Sequence, residues 1–182
     1  MRLEDLVFVT SNEGKLREAQ EVLGVELEHS GLDLPEIQSL DLVEVVRHKA
    51  RAAFERLGRP VLVEDTSLEI RGLDGFPGPL VRWLLVSVGA AGIGRLAGAF
   101  EDQRAAARCI ACAFGEGLEV MGEGAIPGVI VSAPRGRKGF GWDPVFAPEG
   151  GGGRTFAEMA PAEKNEVSHR RLAFEALRAK LA

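Results

Sequence analysis

The sequence predicts a chain of mixed α and β structure, in which short apolar strands run into amphipathic helices. Three observations carry this. Leu6-Val7-Phe8-Val9-Thr10 and Pro60-Val61-Leu62-Val63 are short apolar runs with the length and β-branched content of buried strands. Residues 42–57 repeat apolar side chains at helical spacing, with Val43, Val46, Ala50, Ala53, Phe54 and Leu57 on one face and Gly58 past the end. Residues 104–114 and 118–125 flank Gly115-Glu116-Gly117 and read as a long hairpin.

In chain order, the first strand ends in Thr10-Ser11-Asn12-Glu13-Gly14-Lys15, and Leu16, Ala19, Val22 and Leu23 then repeat at helical spacing until Gly24. A strand running through a polar turn into a helix offers backbone N–H groups and the positive dipole end to an anion, and Lys15 adds a full charge. The same residues suit an ordinary N-cap, and the Walker A pattern is absent. Val25 to His29 alternates as a strand, and Leu34-Pro35-Glu36-Ile37 is a loop with one carboxylate. Lys49 lies on the 42–57 helix, where a lysine is by default solvated. The strand at 60–63 ends in Glu64-Asp65-Thr66-Ser67. Adjacent carboxylates repel unless solvent or a cation relieves them, so this stretch reads either as a polar turn or as a place for a hard divalent cation.

Leu68 to Ile70 continues as a strand, and 72–79 is a loop rich in turn residues. Residues 80–88 and 93–100 read as two helices. Gly89, Gly92 and Gly94 lie between helices and not after a strand, which sets aside a dinucleotide loop. Val129 to Val131 is a further strand, and Gly150 to Gly153 is expected to be a mobile loop with no packing role. Pro161 fits the first turn of the last helix, where Val167, Leu172, Phe174, Leu177 and Leu181 are partly periodic. Cys109 and Cys112 fall in a strand, where a spacing of three puts them on opposite faces with Cα atoms roughly 10 Å apart, too far for a disulfide.

Composition bounds the function. A chain of 182 residues with no interdomain linker reads as a single domain over 1–182, long enough for a proper core and for two lobes. The net charge of −5 argues against a general nucleic-acid partner but not against a small anion in a local basic pocket. The charged start Met1-Arg2-Leu3-Glu4-Asp5 does not read as a signal peptide, and the run 80–88 is too short to span a membrane, so the expected location is cytoplasmic.

The chemistry concentrates at Gly139-Phe140-Gly141-Trp142-Asp143-Pro144, where two rings flank a glycine beside a carboxylate. About twenty residues on stand Lys164, Asn165, Ser168, His169, Arg170 and Arg171. Rings beside hydrogen-bonding groups are what holds a purine and reads its edge. A stacking platform for RNA uses the same residue types, but the acidic balance speaks against it.

Six stretches now stand in order: Thr10 to Lys15; Val63-Glu64-Asp65-Thr66; Gly75-Phe76-Pro77-Gly78-Pro79; Gly139 to Pro144; Thr155-Phe156-Ala157-Glu158-Met159; and Glu163-Lys164-Asn165 with Ser168-His169-Arg170. Their order and spacing resemble the inosine/xanthosine triphosphate pyrophosphatases, house-cleaning enzymes that remove deaminated purine nucleotides. The resemblance runs from residue 7 to about residue 175. The chain departs from the family in having Leu80 and Trp142 where tyrosines are common, and Ser67 where glycine is common.

The resemblance implies an α/β fold with a long mixed, twisted sheet flanked by helices, two lobes and a central nucleotide-binding cleft. It also implies a homodimer, and hydrolysis of a purine nucleoside triphosphate to monophosphate and pyrophosphate with Mg²⁺. By residue, it implies that Thr10, Ser11, Asn12, Glu13, Gly14 and Lys15 hold the triphosphate with Lys49, that Glu36 and Asp65 hold the metal, and that Asp65 accepts the proton. Phe140, Gly141, Trp142 and Asp143 would bound the base. Thr66, Lys164, His169 and Arg170 would complete the nucleotide site, with Arg82 carried over from a basic position in eukaryotic members. A non-catalytic nucleotide sensor on the same residues is the rival reading.

Overall fold

The structure is a computed structural model that describes residues 2–181. Its strands are β1 (Val7–Val9), β2 (His29–Ser30), β3 (Val61–Ile70), β4 (Pro77–Gly78), β5 (Arg104–Gly115), β6 (Leu118–Ile130) and β7 (Phe146–Pro148). Its helices are α1 (Glu13–Leu23), α2 (Leu42–Leu57), α3 (Val81–Gly98), α4 (Pro161–Glu166) and α5 (His169–Leu181). The strands form one seven-stranded sheet in the order β2-β1-β3-β5-β6-β7, with β4 on β3. It is mixed, since β1 is parallel to β2 and β3 while β7 is antiparallel to β6. The chain divides into two compact units: Met1–Asp65 with Cys109–Gly124 and His169–Ala182, and Thr66–Arg108 with Ala125–Ser168.

The first unit is three layers, and strand alternation dictates them. Leu6, Phe8, Leu62, Cys109, Ala111 and Ala113 share a core with Ala19 and Leu23 of α1 and Ala173, Phe174 and Leu177 of α5. The intervening residues Val7, Val9, Val61, Val63, Ile110 and Cys112 pack on Leu42, Val46, Ala50 and Ala53 of α2. Cys109 and Cys112 therefore belong to opposite faces and are both free and buried, as their spacing requires. The α2 helix has the bounds its periodicity predicts. Asp41 caps it through the Val43 and Glu44 amides, and Gly58 closes it at φ 63. On the other face, β6 meets α5 through glycine. A Cβ on Gly122 would lie 2.2 Å from the Ala173 carbonyl oxygen and 2.3 Å from the Leu177 nitrogen. Gly122→Ala is expected to cost about 1–3 kcal/mol, because backbone cannot yield as a side chain can. Denaturant unfolding reads this, and unchanged stability would mean that β6 and α5 are not so close.

The second unit has one core. Leu68, Ile70, Ala105, Ala107 and Ile130 of the sheet pack against Val81, Ile93 and Ala97 of α3 and against Trp142, Val145, Phe146, Phe156 and Met159.

Several elements differ from expectation. The strand predicted to stop at Val63 runs unbroken to Ile70, so Glu64 and Asp65 are mid-strand residues and not a turn. β6 absorbs Val129 and Ile130 of the strand predicted at 129–131: Pro127 lacks an N–H but still accepts from the Glu149 amide. β2 is His29–Ser30 and keeps only His29 of the alternating stretch, partly because the Gln20 side chain takes the Leu27 amide. β7 was missed because three residues between two prolines carry no periodicity. The last helix is two, parted where Val167 leaves helical geometry at φ −120 and ψ 28. The four glycines form a turn in which one member packs. Gly151 is buried against Met159 and Pro148, and the Gly153 carbonyl accepts from Arg135. By contrast, the two helices expected at 80–88 and 93–100 are present as the two parts of α3, which the kink at Gly89 (φ 66, ψ 176) divides.

Candidate active site

The site in the first unit is built from the ends of β1 and α1, the middle of β3, and α2 and α5. Thr10 closes β1, and its hydroxyl accepts the Asn12 amide. Asn12 takes the cap position of α1, its Oδ1 accepting from the Gly14 amide at 2.9 Å and the Lys15 amide at 3.2 Å. The N-cap reading of this turn is the one observed. The cap is real and occupies two of the free amides, while Ser11 and Glu13 stay exposed beside it.

Lys15 is no solvated surface residue. Its ammonium lies 2.5 Å from Glu64 Oε1 and 3.7 Å from Asp65 Oδ1. Burial would lower its pKa, but Glu64 and Asp65 outweigh burial and raise it, so the lysine stays charged. Lys49, from α2, is held in a similar way. It approaches Glu36 at 3.5 Å and Asp65 at 3.8 Å and donates to the Glu64 carbonyl. Two lysines and three carboxylates thus alternate through one cluster, with Asp65 between both ammonium groups.

Glu64 is 1% exposed, whereas Asp65 keeps 18% of its side chain open. Burial pushes the Glu64 carboxyl up, but Lys15 and Arg170 prevail and hold it well below the usual carboxylate range. Arg170 is itself buried, its Nε 3.2 Å from Glu64 Oε2 and its other arm paired with Glu18. Burial lowers its pKa and the two carboxylates raise it further than burial lowers it. Sequence reasoning placed Arg170 in the nucleotide site and named neither Glu18 nor Glu64 as its partner. One signal was available: Glu18 follows Lys15 by three residues, on the same face of a helix. His169 is buried in the first turn of α5.

In the second unit, the Gly139–Pro144 segment is held by its own carboxylate. Asp143 Oδ2 accepts the Phe140 amide at 2.8 Å and the Lys164 ammonium at 2.7 Å. Gly139 and Gly141 have φ of 74° and 61°, and a Cβ on Gly139 would strike Asp143 Oδ2 at 2.0 Å. The Lys164 ammonium also sits 4.5 Å from the centre of the Phe140 ring and 5.3 Å from that of Phe156. The two rings expected to bound a base have different settings. Phe140 is partly exposed, but Trp142 is buried, edge-on to Phe146 and tilted against Phe156. Thr66 is buried on β3, and Arg82 is exposed on α3 with its guanidinium 5.9 Å from the Trp83 ring.

Among the described residues no three His, Cys, Asp or Glu side chains gather as a metal cage. A magnesium-type cation does not need one, since one or two carboxylates plus substrate phosphates suffice. Glu36 and Asp65 fit that requirement, because both already converge on a single cation, the Lys49 ammonium.

Known proteins share this chain almost end to end. It is 46% identical over 178 residues to inosine triphosphate pyrophosphatase 1 of Trypanosoma cruzi, covering 96% of this chain and 90% of the relative. It is 43% identical over 180 residues to inosine triphosphate pyrophosphatase of Schizosaccharomyces pombe, covering 97% and 94%. Among solved structures, a HAM1 protein from Coxiella burnetii superposes with a TM-score of 0.79 at 31% identity, covering 97% of this chain and 98% of that one. A nucleoside-triphosphatase, or dITP/XTP pyrophosphatase, from Mycobacterium abscessus gives a TM-score of 0.71 at 31% identity, covering 96% and 98%. The profile of the Ham1 family matches residues 6–180, so the lysine–carboxylate cluster and the ring segment both lie within the match, and the chain belongs to the Ham1 family.

Proposed function

We propose that this chain hydrolyses inosine, deoxyinosine and xanthosine triphosphates to the monophosphate and pyrophosphate, keeping deaminated purines out of DNA and RNA. The observation that carries the reading is the convergence of Lys15 and Lys49 on Asp65, in a chain whose relatives are named inosine triphosphate pyrophosphatases.

The chemistry follows from the charges. A water attacks the α-phosphorus, the bond from phosphorus to the α,β-bridging oxygen breaks, and negative charge collects on the leaving pyrophosphate. The Lys15 and Lys49 ammonium groups stabilise that charge where it develops. Asp65 takes the proton of the attacking water, as a partly exposed carboxylate within reach of the phosphate site can. Glu36 and Asp65 would hold Mg²⁺, which supplies further neutralisation of phosphate charge when bound. Thr10 to Lys15 flank the phosphates. The Gly14 and Lys15 amides serve Asn12, so the ammonium groups and not these amides carry the contact.

At the base end, Phe140 stacks, and Trp142 supports the segment from the core. Gly141 gives the close approach, with Asp143 and Lys164 in the same unit, and the family resemblance adds His169 and Arg170 to this end. Thr66 and Arg82 complete the set. The assignment of both ends to one nucleotide is supported by family membership. Lys164 is a donor-only group next to the stacking ring, which suits the 6-oxo group of hypoxanthine or xanthine and sets donor against donor for the 6-amino group of adenine. The reading takes the enzyme to work as a homodimer, as its family resemblance implies, in the cytoplasm.

The test is a panel of inosine, xanthosine, guanosine and adenosine triphosphates with Mg²⁺, read as pyrophosphate release. Inosine and xanthosine triphosphates are expected to exceed adenosine triphosphate by roughly 10⁴-fold in kcat/KM, the margin of a site built around a required hydrogen bond. Equal rates for all four would sink the specificity, and no pyrophosphate from any would leave a nucleotide sensor.

A further inference from the structure

We propose that Glu64 is the positioning residue for Lys15 in this hydrolysis, and that the Cys109 thiol fixes Glu64 in turn. The proposal deepens the function proposed above and rests on it for its kinetic arm only. Glu64 is enclosed in the first unit, and each of its oxygens has an assignment. Oε1 faces Lys15 at 2.5 Å. Oε2 accepts from Arg170 Nε at 3.2 Å and lies 3.3 Å from Cys109 Sγ. An ionised carboxylate can only accept and a guanidinium can only donate, so the thiol must be the donor to Oε2. Burial pushes the Cys109 thiol well up, with the Glu64 charge adding to it, so its proton is in place to be donated.

The geometry gives these contacts one consequence. Two donors from different elements, β5 and α5, hold Oε2, and the plane of the carboxylate is thereby set. Oε1 is then held in one place, and its charge keeps the Lys15 ammonium beside Asp65. Lysine is a flexible stem with a point charge, and left alone it would sample many placements. Fixing it before the substrate arrives removes that disorder from the reacting complex. No other role in the proposed reaction falls to Glu64, which is too enclosed to meet a nucleotide directly, nor to Cys109, which is fully buried.

The test uses Glu64→Gln, Cys109→Ala and Cys109→Ser. The first arm is infrared spectroscopy of the S–H stretch and needs no substrate. Cys109→Ser assigns the Cys109 band by removing it. That band is expected at lower frequency than a free thiol and should rise in Glu64→Gln; a band that stays put means no bond to Glu64 and overturns the proposal. The second arm is kinetic. Glu64→Gln is expected to lower kcat by about 10²-fold, the scale of a roughly 1 Å misplacement. Its affinity for inorganic tripolyphosphate should not fall, because Lys15 keeps its charge and loses a competitor. Cys109→Ala should lower kcat roughly 3- to 10-fold, as loss of one hydrogen bond does, and Cys109→Ser, which still donates, should restore it. A merely structural role would lower the unfolding midpoint while kcat stayed at the wild-type value, and that result also overturns the proposal. If wild-type protein released no pyrophosphate, the functional reading would fail while the infrared arm still decided the contact.

Discussion

Asp65→Asn is expected to lower turnover of inosine triphosphate by about 10²–10⁴-fold, the usual worth of a positioned general base, and to leave the fold standing. The two halves of this expectation have separate causes. Asparagine has nearly the shape of aspartate, so β3 loses no packing. Its amide cannot take a proton and binds a cation poorly. Asp65 also lies outside the enclosed pairs, its oxygens at 3.7 and 3.8 Å from the two ammonium groups and its side chain partly open. Removing its charge therefore leaves no buried charge unpaired. Pyrophosphate release at saturating Mg²⁺, with unfolding measured in parallel, separates the two effects. Near-normal turnover by the variant would mean that the wrong carboxylate has been assigned.

Arg170→Ala is expected to act in the opposite way, chiefly on stability. Arg170 is among the largest fully buried side chains and neutralises both Glu64 and Glu18. Taking away one partner of a buried ion pair costs about 3–5 kcal/mol, because the remaining charge stays out of water without compensation. A cavity adds to that loss. Arg170→Lys should recover little, since an ammonium cannot serve two separated carboxylates as a guanidinium does. Denaturant unfolding of both variants reads the effect. If Arg170→Ala kept wild-type stability and lost only its preference for inosine over adenosine triphosphate, the arginine would be reading the base, as its sequence position first implied.

The pairing of Arg170 with Glu18 and Glu64 shows where sequence reasoning stops. The helices that carry their own punctuation were readable from residues alone. Asp41 and Gly58 bound α2, Gly24 closes α1 in left-handed geometry, and Pro161 opens α4. The opposite-face placement of Cys109 and Cys112 followed from strand period. What could not be read was long-range pairing. Lys15, Glu64, Cys109 and Arg170 lie on four separate elements, and nothing in the local pattern of any one names the other three. The same applies to Trp142. A ring beside glycine and aspartate looks like a platform, and only the approach of Phe146 and Phe156 makes it core. The glycine run failed for a different reason. Glycine is read as freedom, whereas Gly151 is glycine because Met159 and Pro148 leave it no room.

The break at Gly89 sets a limit on how far α3 runs as one straight helix. The eighteen residues Val81–Gly98 are long and apolar enough, by count, to cross a bilayer, and most of that surface is not buried in the protein. Trp83, Val86 and Val88 stand exposed on it. A hydrocarbon layer about 30 Å thick requires some twenty residues of unbroken helix. Here the straight parts, 81–88 and 90–98, reach only about 12 and 14 Å at 1.5 Å per residue. At the bend, the chain leaves the helical path at φ 66 and ψ 176 and interrupts the amide-to-carbonyl ladder, which a hydrocarbon phase does not forgive. One glycine thus separates an apolar segment that a hydropathy scan would flag from a segment that could be inserted.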